Sequence, residues 1–136
     1  MARATPPVVL VVDDDPDVLP IAVAVLTGMG YSVLEASNPA DALDTIRAHP
    51  EIVLLFTDIV MPGDMDGFEL AHEAKQLRPE LRVVYTSGYI GTIPWGRHGV
   101  GYGPFVQKPW RQAQLVQVFS SVLPPPGSPS GQQPTC

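Results

Sequence analysis

The stretch Phe56-Thr57-Asp58-Ile59-Val60-Met61-Pro62-Gly63 decides how this chain is read. It is entered by an apolar run, Ile52-Val53-Leu54-Leu55-Phe56, and is followed by Met65-Asp66-Gly67. A continuous apolar run of this length predicts a strand buried on both faces, as in a parallel sheet. In open parallel sheets, chemistry gathers outside the carboxyl ends of the strands. The single carboxylate of Asp58 stands at such an end, just before the turn through Pro62 and Gly63, and is therefore presented at the rim.

Toward the N-terminus, Val8-Val9-Leu10-Val11-Val12 stops at Asp13-Asp14-Asp15-Pro16-Asp17. This predicts a central strand with carboxylates at its end. The helix that follows can be capped by Asp15 or Asp17, tolerates Pro20 in its first turn and runs to Gly28 or Gly30. Val18, Ile21, Ala22, Val25 and Met29 share one face and are assigned to the core. Leu19, Val23 and Ala24 then lie on the outer face, where charge is usual, so Leu19 and Val23 are candidates for docking a partner. Tyr31 to Ala36 reads as a second strand. Asn38 and Pro39 open a helix that ends at His49-Pro50.

Toward the C-terminus, Gly67 to Leu77 predicts a helix stopped by Pro79, and Asp66 shapes the turn before it. Leu81 to Thr86 predicts a fourth strand, Phe105 to Gln107 a short fifth, and Pro109 to Leu123 a last helix. Between the fourth and fifth strands, five glycines and Pro94 in residues 91–103 leave room for at most a turn or two of helix. Strands alternating with helices at this spacing imply βαβ units, with helices on both faces of a parallel sheet. One domain is expected over residues 8–123, flanked by a flexible arm (1–7) and a disordered Pro/Gly/Ser tail (124–136).

A net charge of −6 and the lack of a basic stripe exclude a nucleic-acid-binding surface. The only cysteine is Cys136, so there is no disulfide or zinc framework. No basic-then-apolar leader and no apolar run of about 18 residues is present, which predicts a cytoplasmic protein with no membrane partner. The three histidines are scattered without metal-ligand spacing.

If the strands are neighbours, Asp13, Asp14, Asp58, Ser87 (or Thr86) and Lys108 converge on one rim. Crowded carboxylates raise one another's pKa unless a cation sits among them. Mg²⁺ suits such a set, since it takes one or two carboxylates together with phosphate oxygens and waters. A carboxylate held this way beside a lysine ammonium is a plausible nucleophile toward phosphorus, where positioning and charge neutralisation dominate. Only Lys75 and Lys108 are lysines, and Lys108 stands at a strand end before Pro109.

The set Val11-Val12-Asp13-Asp14, Asp58 with Met61-Pro62 and Met65-Asp66-Gly67, Ser87-Gly88 and Lys108-Pro109 resembles the receiver domain of two-component response regulators. The resemblance covers roughly residues 8 to 123. It implies a flavodoxin-like (CheY-like) three-layer α/β sandwich, with five parallel strands in the order 2-1-3-4-5. It also implies that Asp58 accepts a phosphoryl group from a histidine kinase or a histidine phosphotransfer protein and signals to a downstream protein target. Asp13, Asp14, Asp58 and the backbone carbonyl of Val60 would hold Mg²⁺. Ser87 would be the switch hydroxyl, Phe105 the switch aromatic and Lys108 the phosphoryl contact, before a Pro109 that is cis in the family. Ser87 is preferred to Thr86 because Gly88 supplies the small residue that follows the family's hydroxyl; Thr86 then points to the other face of the strand.

The chain departs from the family pattern in two places. Gly63-Asp64 lengthens the loop after Asp58, as in receivers of hybrid kinases, and the fourth helix is short or irregular. The tail is too short for an effector domain, which predicts a stand-alone receiver or one excised from a longer protein. Trp95 and Trp110 are read as packing groups, with Trp110 also placed to join an interface. A phosphatase of the haloacid-dehalogenase type is the enzymatic alternative, but it needs an acid two residues after the nucleophile, where this chain has Val60. A phosphate-independent interaction module is the other alternative.

Overall fold

The computed structural model describes residues 6–63, 65–88 and 103–123. The segment expected to hold the short or irregular helix therefore lies mostly outside the described residues, as do residues 1–5 of the expected arm, the tail, Asp64, Tyr89 and Trp95. Among the described residues the strands are β1 (Val8–Val12), β2 (Ser32–Ala36), β3 (Ile52–Asp58), β4 (Arg82–Ser87) and β5 (Phe105–Gln107). The helices are α1 (Leu19–Gly28), α2 (Pro39–Ala48), α3 (Gly67–Leu77) and α4 (Gln112–Val122), the last being the final helix of the sequence reading.

The strands form one parallel sheet in the order β2-β1-β3-β4-β5. Period-2 alternation divides their side chains between two cores. Leu10, Val12, Leu55, Val83 and Tyr85 pack with α2 and α3 through Ala42, Ile46, Phe68, Leu70 and Ala71. Val9, Val11, Leu54, Phe56, Val84 and Val106 pack with α1 and α4 through Ala22, Leu26, Leu115 and Phe119. This is the three-layer α/β sandwich expected for the central strands β1 and β3, both buried on two faces.

Local chemistry sets the helix starts. Asn38 caps α2 by accepting the Asp41 N–H at 2.8 Å, with Pro39 in the first turn. Asp66 and Glu69 form a reciprocal capping box at α3, so Asp66 does shape this turn. The cap expected of Asp15 or Asp17 at α1 is not made. The N-cap is Val18, and the Asp15 carboxylate instead accepts the Asp17 N–H at 2.8 Å one turn earlier. Arg78 closes the other end of this layer: its guanidinium donates to the carbonyls of Ile46, His49 and Ile52, which ties the end of α2 to the start of β3.

The phase of α1 differs from the sequence reading. Leu19, Ala22 and Leu26 are its buried residues, and Leu19 is only 8% exposed, whereas Ile21 is 56% exposed. Leu19 therefore packs into the core, whereas the sequence reading puts it on the outer face, and Val23 is partly buried. Thr27 is the only polar side chain in α1 apart from its glycine end, so apolar periodicity has no polar face against which to set the helix rotation.

Gly67 brings α3 against the end of β3. Its N–H donates to the Ile59 carbonyl at 2.8 Å, and a Cβ there would lie 2.1 Å from the Asp58 carbonyl oxygen. Gly67→Ala is expected to destabilise the fold by about 1–3 kcal/mol through overpacking. Gly28, at the end of α1 with open space around it, should behave oppositely. Gly28→Ala is expected to stabilise by about 0.4–1 kcal/mol, since alanine loses less backbone entropy. Urea unfolding of both variants checks the pair; equal signs would refute the packing account.

Candidate functional site

The carboxyl ends of β1, β3 and β4 and the residue after β5 open on one rim, and their side chains converge there. Lys108 Nζ donates to Asp13 Oδ2 at 2.7 Å and to Asp58 Oδ2 at 3.0 Å. The other Asp58 oxygen accepts the Val60 N–H at 3.3 Å, and the other Asp13 oxygen accepts the Asp15 N–H at 2.9 Å. Lys108 is itself held to the sheet, its N–H donating to the Ser87 carbonyl at 3.1 Å, and the Lys108–Pro109 peptide is cis. Asp13 and Asp58 are both buried, while Asp14 is exposed.

Burial dominates the electrostatics. It pushes the Asp58 carboxyl above its ordinary range; the charge and hydrogen bond of Lys108 pull it back, and the neighbouring Asp13 charge adds to the rise. Burial works against the Lys108 ammonium too, but the hydrogen bond it donates to Asp13 and the charge of Asp58 outweigh it, and its pKa is raised. Lysine thus stays charged and holds a carboxylate pair that would otherwise repel.

An open cavity of about 400 Å³ lies over this arrangement, lined by Asp14, Asp15, Val18, Asp58, Val60, Ser87, Gly88 and Lys108. Asp58, Ser87 and Lys108 all line it, so a carboxylate, a hydroxyl and a cation share one solvent-accessible space. Carboxylate oxygens of Asp13, Asp14 and Asp58 lie within 4.8 Å of one another. That set of hard oxygen donors fits a divalent cation such as Mg²⁺.

The structure thus brings together Asp13, Asp14, Asp58, Val60, Ser87 and Lys108. Phe105 stands apart: it is half-buried on β5 beside Tyr85 in the sheet register and packs against the core on the α2/α3 side. Thr86 leaves β4 on the face opposite Ser87, where its hydroxyl accepts the Trp110 indole N–H at 2.8 Å. Sequence reasoning missed a second, apolar groove of about 470 Å³ beside the cavity. It is walled by Val18, Ile21 and Val25 of the α1 region and by Gly88, Lys108, Pro109 and Trp110. Trp110, two residues after Lys108, was the one available signal for it.

Comparisons with known proteins agree with this geometry. A family model described as the response regulator receiver domain matches residues 9–120. The chain is similar to the response regulator receiver protein CpdR of Brucella abortus, with 38% identity over 81 residues, covering 60% of this chain and 66% of that protein. It is also similar to the nitrogen assimilation regulatory protein NtrX of Azorhizobium caulinodans, with 34% identity over 118 residues, covering 85% of this chain but only 26% of that protein. Among solved structures, a response regulator receiver protein from Sinorhizobium medicae superimposes with a TM-score of 0.76 at 28% identity, covering 86% of this chain and 94% of that one. The family match runs from the first strand into the last helix and takes in every element that positions Asp58, and the chain belongs to the response regulator receiver domains of two-component systems.

Proposed function

We propose that Asp58 is the phosphoacceptor of this receiver domain, with Lys108 as the phosphoryl contact and Ser87 as the switch hydroxyl. The observation that carries this reading is the shared cavity: Asp58, Ser87 and Lys108 line it together, and Asp13, which is more deeply buried, does not. An Asp58 oxygen attacks the donor phosphorus, and the bond from phosphorus to the donor breaks, its electron pair leaving with the donor's imidazole or acetate. The Lys108 ammonium neutralises charge on the transferred group, and the Ser87 hydroxyl can donate to one of its oxygens. Asp13 keeps the ammonium in place. Two residues after Asp58, Val60 has no proton to give, so the hydrolase alternative lacks its general acid.

Asp13, Asp14 and Asp58, with the Val60 carbonyl, are the residues that would hold Mg²⁺. The ion would supply further neutralisation of the carboxylates and of the phosphoryl oxygens. Phe105 is proposed as the switch aromatic, answering movement of Ser87 from the adjacent strand. A histidine kinase or histidine phosphotransfer protein is the proposed donor, and a downstream protein reads the changed surface. In place of Leu19 and Val23, the apolar groove walled by Val18, the exposed Ile21, Val25 and Trp110 is the proposed donor-docking surface; Val23 lies on the far side of α1 from it.

Intact mass after incubation with acetyl phosphate and Mg²⁺ tests the acceptor. The wild type should gain one phosphoryl mass and Asp58→Asn none; full gain by Asp58→Asn would reassign the site. Magnesium alone should raise the wild-type melting temperature, by the equivalent of about 2.7 kcal/mol at a concentration a hundred times its dissociation constant. Asp13→Asn should lose most of that shift, and an unchanged shift would remove Asp13 from the ligand set. Ile21→Glu should slow transfer from a phosphorylated kinase domain at least several-fold while leaving transfer from acetyl phosphate unchanged. Equal slowing with both donors would place the defect in the acceptor site and count against docking at this face.

A further inference from the structure

Trp110 lies outside the acceptor cavity but is attached to the strand that walls it. Its indole N–H donates to the hydroxyl of Thr86, a side chain only 2% exposed. Strand alternation sends Thr86 and Ser87 to opposite faces of β4, so adjacent residues report to different spaces: Ser87 to the acceptor cavity, Thr86 to the indole. The backbone of Thr86 is tied to the acceptor strand as well. It stands opposite Asp58 in the sheet register, and its carbonyl accepts the Ile59 N–H at 2.9 Å. On its other side the indole packs on Phe56, with ring centroids 5.5 Å apart, and forms the aromatic wall of the groove shared with Val18, Ile21 and Val25. Val18, Gly88 and Lys108 border both the groove and the cavity.

We infer that the Thr86–Trp110 hydrogen bond couples the acceptor site to the apolar groove. Trp110 is a positioning residue whose indole follows β4, so the groove wall takes one geometry before phosphoryl transfer and another after it. A half-buried indole N–H is costly to leave without an acceptor, which makes it move with Thr86 in preference to letting go. A surface whose shape depends on the acceptor state binds its partner differently in the two states, so the spent donor is released as a consequence of transfer. The inference rests on Asp58 being the acceptor, and the two are separable by experiment.

The chain has two tryptophans, so Trp95→Phe leaves Trp110 as the only indole and serves as the parent. Acetyl phosphate with Mg²⁺ is added, and intact mass and tryptophan emission are read on the same sample. The parent should gain a phosphoryl mass together with a shift in emission. Thr86→Val in this background, similar in shape but without the hydroxyl, should gain the same mass and lose the shift, and Thr86→Ser should restore it. A parent that gains mass with unaltered emission, or a Thr86→Val variant that shifts like the parent, overturns the coupling and leaves the acceptor reading standing. A parent that gains no mass overturns the acceptor reading and the coupling with it. Should Thr86→Val fail to fold, the parent and Thr86→Ser decide: both must shift, and silence in either refutes the coupling.

Discussion

The ammonium of Lys108, held between the carboxylates of Asp13 and Asp58, is the interaction on which the rest of the site depends. Two buried carboxylates at neighbouring strand ends repel, and each pays for lost hydration. A cation hydrogen-bonded to both converts that repulsion into a link between the ends of β1 and β3 and the loop after β5. The same link leaves Asp58 facing a solvent-open cavity with Ser87 and Lys108 beside it. The local arrangement is thus costly on its own and tolerable only because a well-packed sheet supports it.

That support comes from both cores. β1 and β3 are buried on two sides, so their carboxyl ends cannot splay, and Gly67 presses the start of α3 against the Asp58 carbonyl. On the opposite layer, Phe56 touches both Phe119 and Trp110, with ring centroids 5.3 Å and 5.5 Å away. Phe56, two positions before Asp58, therefore anchors α4 and the groove wall together. The rim cavity and the apolar groove thus share the same short stretches of backbone.

Much of the site was legible because each of its groups ends an apolar run. Asp13, Asp58, Ser87 and Lys108 are recognisable one at a time as polar residues at strand ends, and parallel topology gathers such ends on one edge. The preference for Ser87 over Thr86 rested on Gly88, the small residue that follows the family's hydroxyl; strand alternation then put Thr86 on the other face, and the two side chains do leave β4 on different faces. The rotation of α1 was not legible. Its residues are nearly all apolar, so Ile21 and Leu19 were equally acceptable to the core by hydrophobicity alone, and packing against β1 and β2 had to choose between them. The guanidinium of Arg78 reaching three carbonyls of α2, its end and β3 left no trace in the sequence pattern either.

The sequence by itself determined the alternation of strands and helices, the polar groups at the strand ends and the family to which the chain belongs. Each of these is a local property, written in apolar period, turn residues and the spacing of short motifs. Tertiary structure alone decided that Lys108 bridges Asp13 and Asp58, that Leu19 is buried while Ile21 is exposed, and that Trp110 is bonded to Thr86. These are contacts between segments far apart in the chain. Their geometry is set by how the layers pack against one another, and local patterns carry no term for that.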